Sequence, residues 1–365
     1  MEFLSGVDCD AWPLRDFSES VFRFGALRAR LQTDDAEFQA RFHRIFHDCR
    51  ETDAHEPDES VVDLVVSTSS SPNSIVAEIP AHDGSHASAV LEHLFPELGL
   101  ASMDRWQEGW QLWARRGDPL HPLFAVRGNR IVIHRELPWQ HLISHYFVDH
   151  VLRQQPGMAF FHGATLALGD RGLLLAGAKG AGKSTLSLAL AARGHAFLSD
   201  EIAAIRIEDR VMRPFARAAS IRLGPQAGAV TRFLDRNSVD REILPDGTAR
   251  MRVPVSSMFP AAVARDVRLS HVFFLGLISS KPCATPFEFS LKDLSVLTPL
   301  HPTVARTSPG ERTMMFLKLF SRVHCYMLTP GGTPDETADL IEAMVEEKWD
   351  TVSRNGLNPS APIAG

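Results

Sequence analysis

The sequence predicts an α/β protein, and three observations carry that reading. A glycine-rich segment, GAKGAGKST, sits between an apolar strand-like run and a strong helix-forming run, LSLALAARG. Short β-like runs recur on both sides of it, separated by turn residues. A capped helix pattern, TPDETADLIEAMVEEKW, closes the ordered part of the chain. With 365 residues, 44% of them hydrophobic, the chain can bury a sizeable core, and its length suggests two domains.

Residues 1–150 read as an α+β region. In the run around Phe38, Phe42 and Phe46, apolar residues recur every four positions, which predicts an amphipathic helix. Val61–Val66 and Ser74–Ile79 read as strands around a turn-like TSSSPN, and Trp106–Trp113 and Leu123–Val126 as two more. Gly128-Asn129 between apolar runs marks a hairpin, and residues 137–152 repeat at helical spacing. The spacing of Trp106, Trp110 and Trp113 fits core packing more readily than a partner surface.

Residues 151–350 are expected to form the second domain, with 351–365 as a tail. Ala164–Leu168 and Gly172–Ala176 predict two strands joined by the turn GDR. The helix after the glycine-rich segment ends at Gly194. The run AFLS predicts a strand leading to Asp200 and Glu201, IAAIRI another, and HVFFLGLI a buried one over residues 271–278. Thr333 or Asp335 is the natural N-cap of the last helix, with Pro334 beside it.

Composition narrows the function. The net charge is −6 and the arginines are scattered, so no concentrated basic face points to nucleic acid. The four cysteines, Cys9, Cys49, Cys283 and Cys325, form no C-x-x-C pair, as expected of reduced thiols. No apolar run is long enough to span a bilayer, and the first residues lack the pattern of a signal peptide. The expectation is a cytoplasmic protein with no membrane partner.

The chemistry concentrates in Gly177, Ala178, Lys179, Gly180, Ala181, Gly182, Lys183, Ser184 and Thr185. The first eight of these match G-x-x-x-x-G-K-[ST] completely. Glycines let backbone N–H groups converge on phosphate oxygens, and the following helix adds the positive end of its dipole. In such a loop the lysine, here Lys183, reaches the β- and γ-phosphates, and the hydroxyl of Ser184 ligates Mg²⁺. A carboxylate at the end of a neighbouring strand holds the metal or activates the attacking group, which marks Asp200 and Glu201. Arg217 and Arg222 are candidates for neutralising charge on a transferring phosphoryl group.

Taken together, His162-Gly163, the loop at Gly177–Ser184 and RGHAFLSDE at Arg193–Glu201 resemble the kinase core of HPr kinase/phosphorylase. SIRLG at Ser220–Gly224 is similar to a later segment of that family. The chain also resembles HPr-kinase-related proteins of bacterial peptide-biosynthesis clusters. The resemblance covers roughly residues 160–224. It implies a mixed, partly antiparallel sheet with flanking helices, ATP and Mg²⁺ as cofactors, and a homo-oligomer. It implies a peptide or protein acceptor with a serine hydroxyl; a small-molecule acceptor is a separate reading of the same site. Carried onto this sequence, it makes Asp200 the base, sets His162 beside Asp200, gives Ser184 and Glu201 to Mg²⁺, and lets Arg222 meet phosphate. Family members usually carry Asp at the position of Glu201, and the family's N-terminal domain has no obvious counterpart in residues 1–151. The alternative is a nucleotide-binding regulatory or assembly module with weak or no transferase activity.

Overall fold

The computed structural model describes residues 18–51, 61–69, 100–107, 110–115, 121–127, 130–134, 148, 151–152, 154–222, 228–237, 239, 241–243, 249–287 and 309–354. The chain forms two compact units. One comprises residues 1–22, 28–43 and 50–148, the other residues 23–27, 44–49 and 149–365.

The first unit is built on a seven-stranded sheet. Its strands are β1 (Ser18–Phe24), β2 (Leu27–Thr33), β3 (Val61–Ser69), β4 (Leu100–Gln107), β5 (Trp110–Arg115), β6 (His121–Arg127) and β7 (Arg130–His134), in the order β1-β2-β3-β7-β6-β5-β4. Helix α1 (Ala36–Ile45) starts where Asp35 accepts the backbone N–H groups of Glu37 and Phe38, and it buries Phe38 and Phe42 as the four-residue spacing predicts. The hairpin expected at residues 128–129 joins β6 to β7, with Arg127 opposite Arg130. The tryptophan run departs from expectation. It is two antiparallel strands, β4 and β5, with Gln107 paired to Trp110. Gly109, the residue type that serves a two-residue turn, lies between them in the sequence. The strand expected at 74–79 lies outside the described residues. Of the helix expected over 137–152, Val148, Val151 and Leu152 are described, and they are helical and buried.

The second unit holds β8 (Met158–Leu168), β9 (Arg171–Gly177), α2 (Lys183–Ala191), β10 (Ala196–Ser199), β11 (Ile202–Arg206), β12 (Val211–Arg213) and β13 (Ala219–Arg222). It continues with α3 (Gly228–Arg236), β14 (Arg241–Ile243), β15 (Ala249–Val253), α4 (Val255–Met258), β16 (Val267–Leu275), β17 (Cys283–Pro286), α5 (Pro309–Phe320), β18 (His324–Thr329) and α6 (Pro334–Arg354). The central sheet is mixed. β9 runs antiparallel to β8 and parallel to β16, which in turn runs parallel to β18. The other edge of β8 carries β10 along residues 165–167 and β11 along residues 158–162. β11 pairs with β12, and β12 with the start of β16, so five strands close a circuit of pairings.

Burial on both faces explains the near-continuous apolar runs of β8, β9 and β16. One face packs Leu173, Leu175 and Phe273 against Leu186 and Leu190 of α2 and Ile341 of α6. The other packs Phe161, Leu174 and Phe274 against Phe316 and Leu319 of α5. The expected strand over 271–278 stops at Leu275. Gly276 follows, and Leu277 and Ile278 stand 90% and 68% exposed. β13, β15 and β14 form a separate three-stranded antiparallel sheet.

Candidate functional site

Strand β9 ends at Gly177, whose register partner in parallel β16 is Leu275. The chain then turns through residues 178–182 into α2. Gly180 and Gly182 adopt φ of +89° and +96°, a region that side chains disfavour, and this is what the loop needs glycine for. Gly182 is also the N-cap of α2 and offers no side chain to its first turn, so those N–H groups remain open to an anion. Ala178, Lys179 and Gly180 are exposed, and Ala181, Gly182, Ser184 and Thr185 are half-buried. Lys183 is buried. Its Nζ donates to the carbonyls of Gly177 and Ala178 at 2.8 and 3.0 Å, and burial holds its pKa below the usual lysine range.

Strands β10 and β11 lie on the same edge of β8 as one line with a gap. Ser199 pairs with Thr165 and Ile202 with His162, which leaves Asp200 and Glu201 in the break opposite Gly163 and Ala164. The hydroxyl of Ser199 makes the break. It accepts the N–H groups of Glu201 and Ile202 at 3.3 and 3.0 Å, a local alternative to the ladder. The N–H of Gly163 bonds the Glu201 carbonyl at 3.3 Å across the gap.

The break sends two carboxylates into different surroundings. Asp200 is buried and faces Ser184 of the loop, whose hydroxyl stabilises its charged form. Burial, then the negative charge of Glu201, pushes its carboxyl up to about 7, against the opposing pull of Arg217, Arg252 and Ser184. Glu201 instead takes a bond from Arg217 Nη1 at 2.9 Å. His162 is half-buried, and its ring lies against the Glu201 backbone. Burial and then the charge of Lys183 lower its pKa, which favours the neutral imidazole.

The structure thus brings together Lys183, Ser184, Asp200, Glu201, His162 and Arg217. Arg222 stands exposed on β13 with Arg250 as its strand partner. Two further residues belong to the site. Ser199, within LSDE, carries a weak local signal, since serine readily bonds nearby backbone in turns. Arg252 lies far along the chain and carries none. The segment RGH has a different duty. Arg193 bonds Asp339 and Glu342 of α6, each at 2.6 Å, and His195 bonds Glu342 at 2.6 Å. These contacts fasten the turn after α2 to the last helix.

No protein-family model matches the sequence, and no curated protein matches it. Among solved structures the chain is similar to the HPr(Ser) kinase/phosphatase from Coxiella burnetii, at 17% identity and a TM-score of 0.27, over 53% of this chain and 98% of that one. Among the described residues, no helix is long and apolar enough to cross a membrane.

Proposed function

We propose that this chain is an ATP- and Mg²⁺-dependent kinase that transfers the γ-phosphoryl group to a serine-type hydroxyl of a peptide, protein or small molecule, acting in the cytoplasm as a homo-oligomer. One observation carries the reading. A buried carboxylate, Asp200, meets the Ser184 hydroxyl of a complete phosphate-binding loop, with its pKa drawn close to neutrality. A base poised near the operating pH suits proton abstraction.

In this reading the loop at Gly177–Thr185 holds the triphosphate. Lys183 exchanges its two carbonyl partners for phosphate oxygens. Asp200 takes the proton of the acceptor hydroxyl as its oxygen bonds to the γ-phosphorus. The bond from that phosphorus to the bridging oxygen breaks, and ADP leaves. His162, held against the Glu201 backbone, lines the γ-phosphate end without adding a charge. Arg222 neutralises phosphate charge. Ser184 and Glu201 are both hard oxygen donors, the ligand type that suits Mg²⁺. Bound there, the ion would neutralise charge on the β- and γ-phosphates.

The nearness of Ser184 to Asp200 favours a second assignment of the same parts. In P-loop nucleotidases the loop hydroxyl and a strand-end aspartate hold the metal together. By that assignment Asp200 joins Ser184 at Mg²⁺, and Glu201, steered by Arg217, becomes the base.

The experiment is incubation with γ-labelled ATP and Mg²⁺, with serine peptides and proteins encoded beside this gene. Label on a serine that disappears in Lys183→Ala supports the kinase. Tight ATP binding with no label transferred to any acceptor favours the regulatory module. Asp200→Asn and Glu201→Gln then separate the two assignments. Loss of transfer at saturating Mg²⁺ identifies the base, and a raised Mg²⁺ requirement identifies the metal ligand.

A further inference from the structure

Residues 214–218 cross from β12 to β13 without joining a strand or helix, and they carry Arg217. Phe215 to Ala218 are buried, so this irregular stretch must find partners for its backbone elsewhere. On one side, Phe215 donates its N–H to the carbonyl of Leu198 in β10 at 3.0 Å, just ahead of Asp200. On the other, the partners come from residues 44–49, far earlier in the chain but within the same compact unit. The N–H of Ala218 donates to the Ile45 carbonyl at 2.7 Å, and the Cys49 thiol donates to the Ala216 carbonyl at 3.3 Å. Burial, then the charge of Asp48, push the pKa of that thiol well up, so it stays a neutral donor. Asp48 in turn accepts the N–H of Val255 at 2.7 Å, at the start of α4.

Phe46 lies at the centre of this seat. It is fully buried, packed at 84° to Phe24 with the ring centroids 5.2 Å apart, and Phe24 lies 5.3 Å from Phe215. The Arg217 guanidinium stands 5.6 Å from the centre of the Phe46 ring. One bond from Nη1 to Glu201 fixes a point of the guanidinium and leaves its plane free to swing. Its Nε is buried and has no hydrogen-bond partner among the described residues, so the ring is what limits the swing. A ring attracts a cation without neutralising it, whereas a second carboxylate in that place would cancel the charge. The positive charge therefore remains available to Glu201 and Asp200.

We propose that Phe46 is a positioning residue for phosphoryl transfer, and that residues 45–49 form the seat that aims Arg217 at Glu201. This rests on the kinase reading above, and it extends the working site to a part of the chain well before the phosphate-binding loop. The seat serves either assignment of the carboxylates, since Glu201 is a metal ligand in one and the base in the other. It acts through Arg217 alone and leaves the loop at residues 177–185 untouched.

The test uses the full chain and two readouts. A fluorescent ATP analogue is titrated with and without Mg²⁺, and transfer from γ-labelled ATP to a serine peptide is timed. Phe46→Leu removes the ring and keeps an apolar side chain. Phe46→trifluorophenylalanine keeps the ring's shape and cancels its attraction for a cation. Both variants should bind the analogue without Mg²⁺ within about twofold of the parent, which also certifies that they are folded. Both should lose at least about threefold, the worth of a cation–π contact, in one of two quantities. That quantity is the gain in analogue affinity on adding Mg²⁺ if Glu201 holds the metal, or the transfer rate if Glu201 is the base. In a Glu201→Gln background the same changes should leave the remaining Mg²⁺ gain and the residual transfer unaltered, because their route to the site is gone. A parent with neither Mg²⁺ gain nor transfer sinks the kinase reading, and this inference with it. A parent that shows either one, beside Phe46 variants that match it, overturns the positioning role alone. An effect that persists in full without Glu201, or one that Phe46→Leu shows and the fluorinated ring does not, overturns it as well. So does an equal fall in affinity with and without Mg²⁺, the mark of packing.

Discussion

Arg217 donates from Nη1 to Glu201 Oε2 at 2.9 Å, across a boundary between a buried cation and a solvent-facing anion. The arginine side chain is 4% exposed and the glutamate 39%. The guanidinium also lies 5.6 Å from the centroid of the Phe46 ring, a cation–π distance. The buried partner is the arginine, so Glu201 is the group held in place. The same charge pulls the pKa of Asp200 down.

Replacing Arg217 with Met should therefore act on chemistry as well as stability. Loss of the bond removes one restraint on the Glu201 carboxylate, and loss of the charge raises the pKa of Asp200 further. In the proposed mechanism, the acidic limb of the transfer rate then moves to higher pH. Arg217→Lys retains a positive charge and should leave that limb close to its original place. Stability should fall by about 1.5–3 kcal/mol in the Met variant, the range for a hydrogen bond to a charged group. A pH–rate profile of the three proteins decides the matter. An unmoved limb in the Met variant would reduce Arg217 to a packing role.

Asp200 itself should cost the fold stability near neutral pH. Its carboxyl titrates at about 7 when folded and at 3.8 when unconstrained. Between those values the folded state binds more protons than the unfolded one, so this contribution falls as pH rises from about 4 to 7 and stays low above that. At 1.36 kcal/mol per pKa unit the cost reaches about 4 kcal/mol. Asparagine keeps an oxygen for Ser184 and removes the charge. Asp200→Asn should raise the urea midpoint at pH 8 and barely change it at pH 4. Equal effects at both pH values would show that the carboxylate carries no such cost.

Much of the site was legible because its parts are close in sequence. The glycines, Lys183 and Ser184 occupy a single strand–loop–helix stretch, and the positive φ of Gly180 and Gly182 is the reason for their residue type. The strand leading to Asp200 was readable from AFLS, although the cause of the break was not. That cause is one hydroxyl, Ser199, competing for two backbone N–H groups. Arg252 was illegible for another reason. It reaches the site through the pairing of β15 with β13, and a register between distant strands leaves no local mark. The run from Trp106 to Trp113 misled because residue type announces a strand more loudly than one glycine announces a turn. HVFFLGLI misled similarly, since apolar residues after Gly276 continue the pattern while the strand does not.

Of the two N-cap candidates for α6, Thr333 and Asp335, the structure selects Thr333. Thr333 Oγ1 accepts the N–H of Glu336 at 3.2 Å, and Glu336 Oε2 accepts the N–H of Thr333 at 2.7 Å, a reciprocal capping box. Asp335 instead accepts the N–H of Gly228 at 3.2 Å. Thr333→Ala should lower stability by about 1 kcal/mol, and Thr333→Ser by a few tenths at most, as measured by urea unfolding. A neutral alanine variant would mean that packing of Ile341 and Val345, with the Arg193 and His195 contacts, holds this helix without the cap.

Gly163 joins the two halves of the site, and its replacement is the sharpest test of how they are coupled. Its N–H spans the strand break to the Glu201 carbonyl at 3.3 Å. A Cβ there would meet the Leu175 carbonyl oxygen at 2.9 Å and Leu174 Cδ1 at 2.7 Å. The side chain could yield, but the carbonyl belongs to β9 two residues before Gly177. Gly163→Ala must therefore push β8 and β9 apart at the root of the loop. The expected cost is about 1–3 kcal/mol, as for other overpacked sites. Gly157→Ala is the matched control, since a Cβ at Gly157 meets nothing within 4 Å. That control should be neutral or slightly stabilising. Titration with a fluorescent ATP analogue should then find weaker binding in Gly163→Ala alone. If both variants bind alike while only one is destabilised, the loop tolerates movement of its strand, and Gly163 serves packing without setting the site.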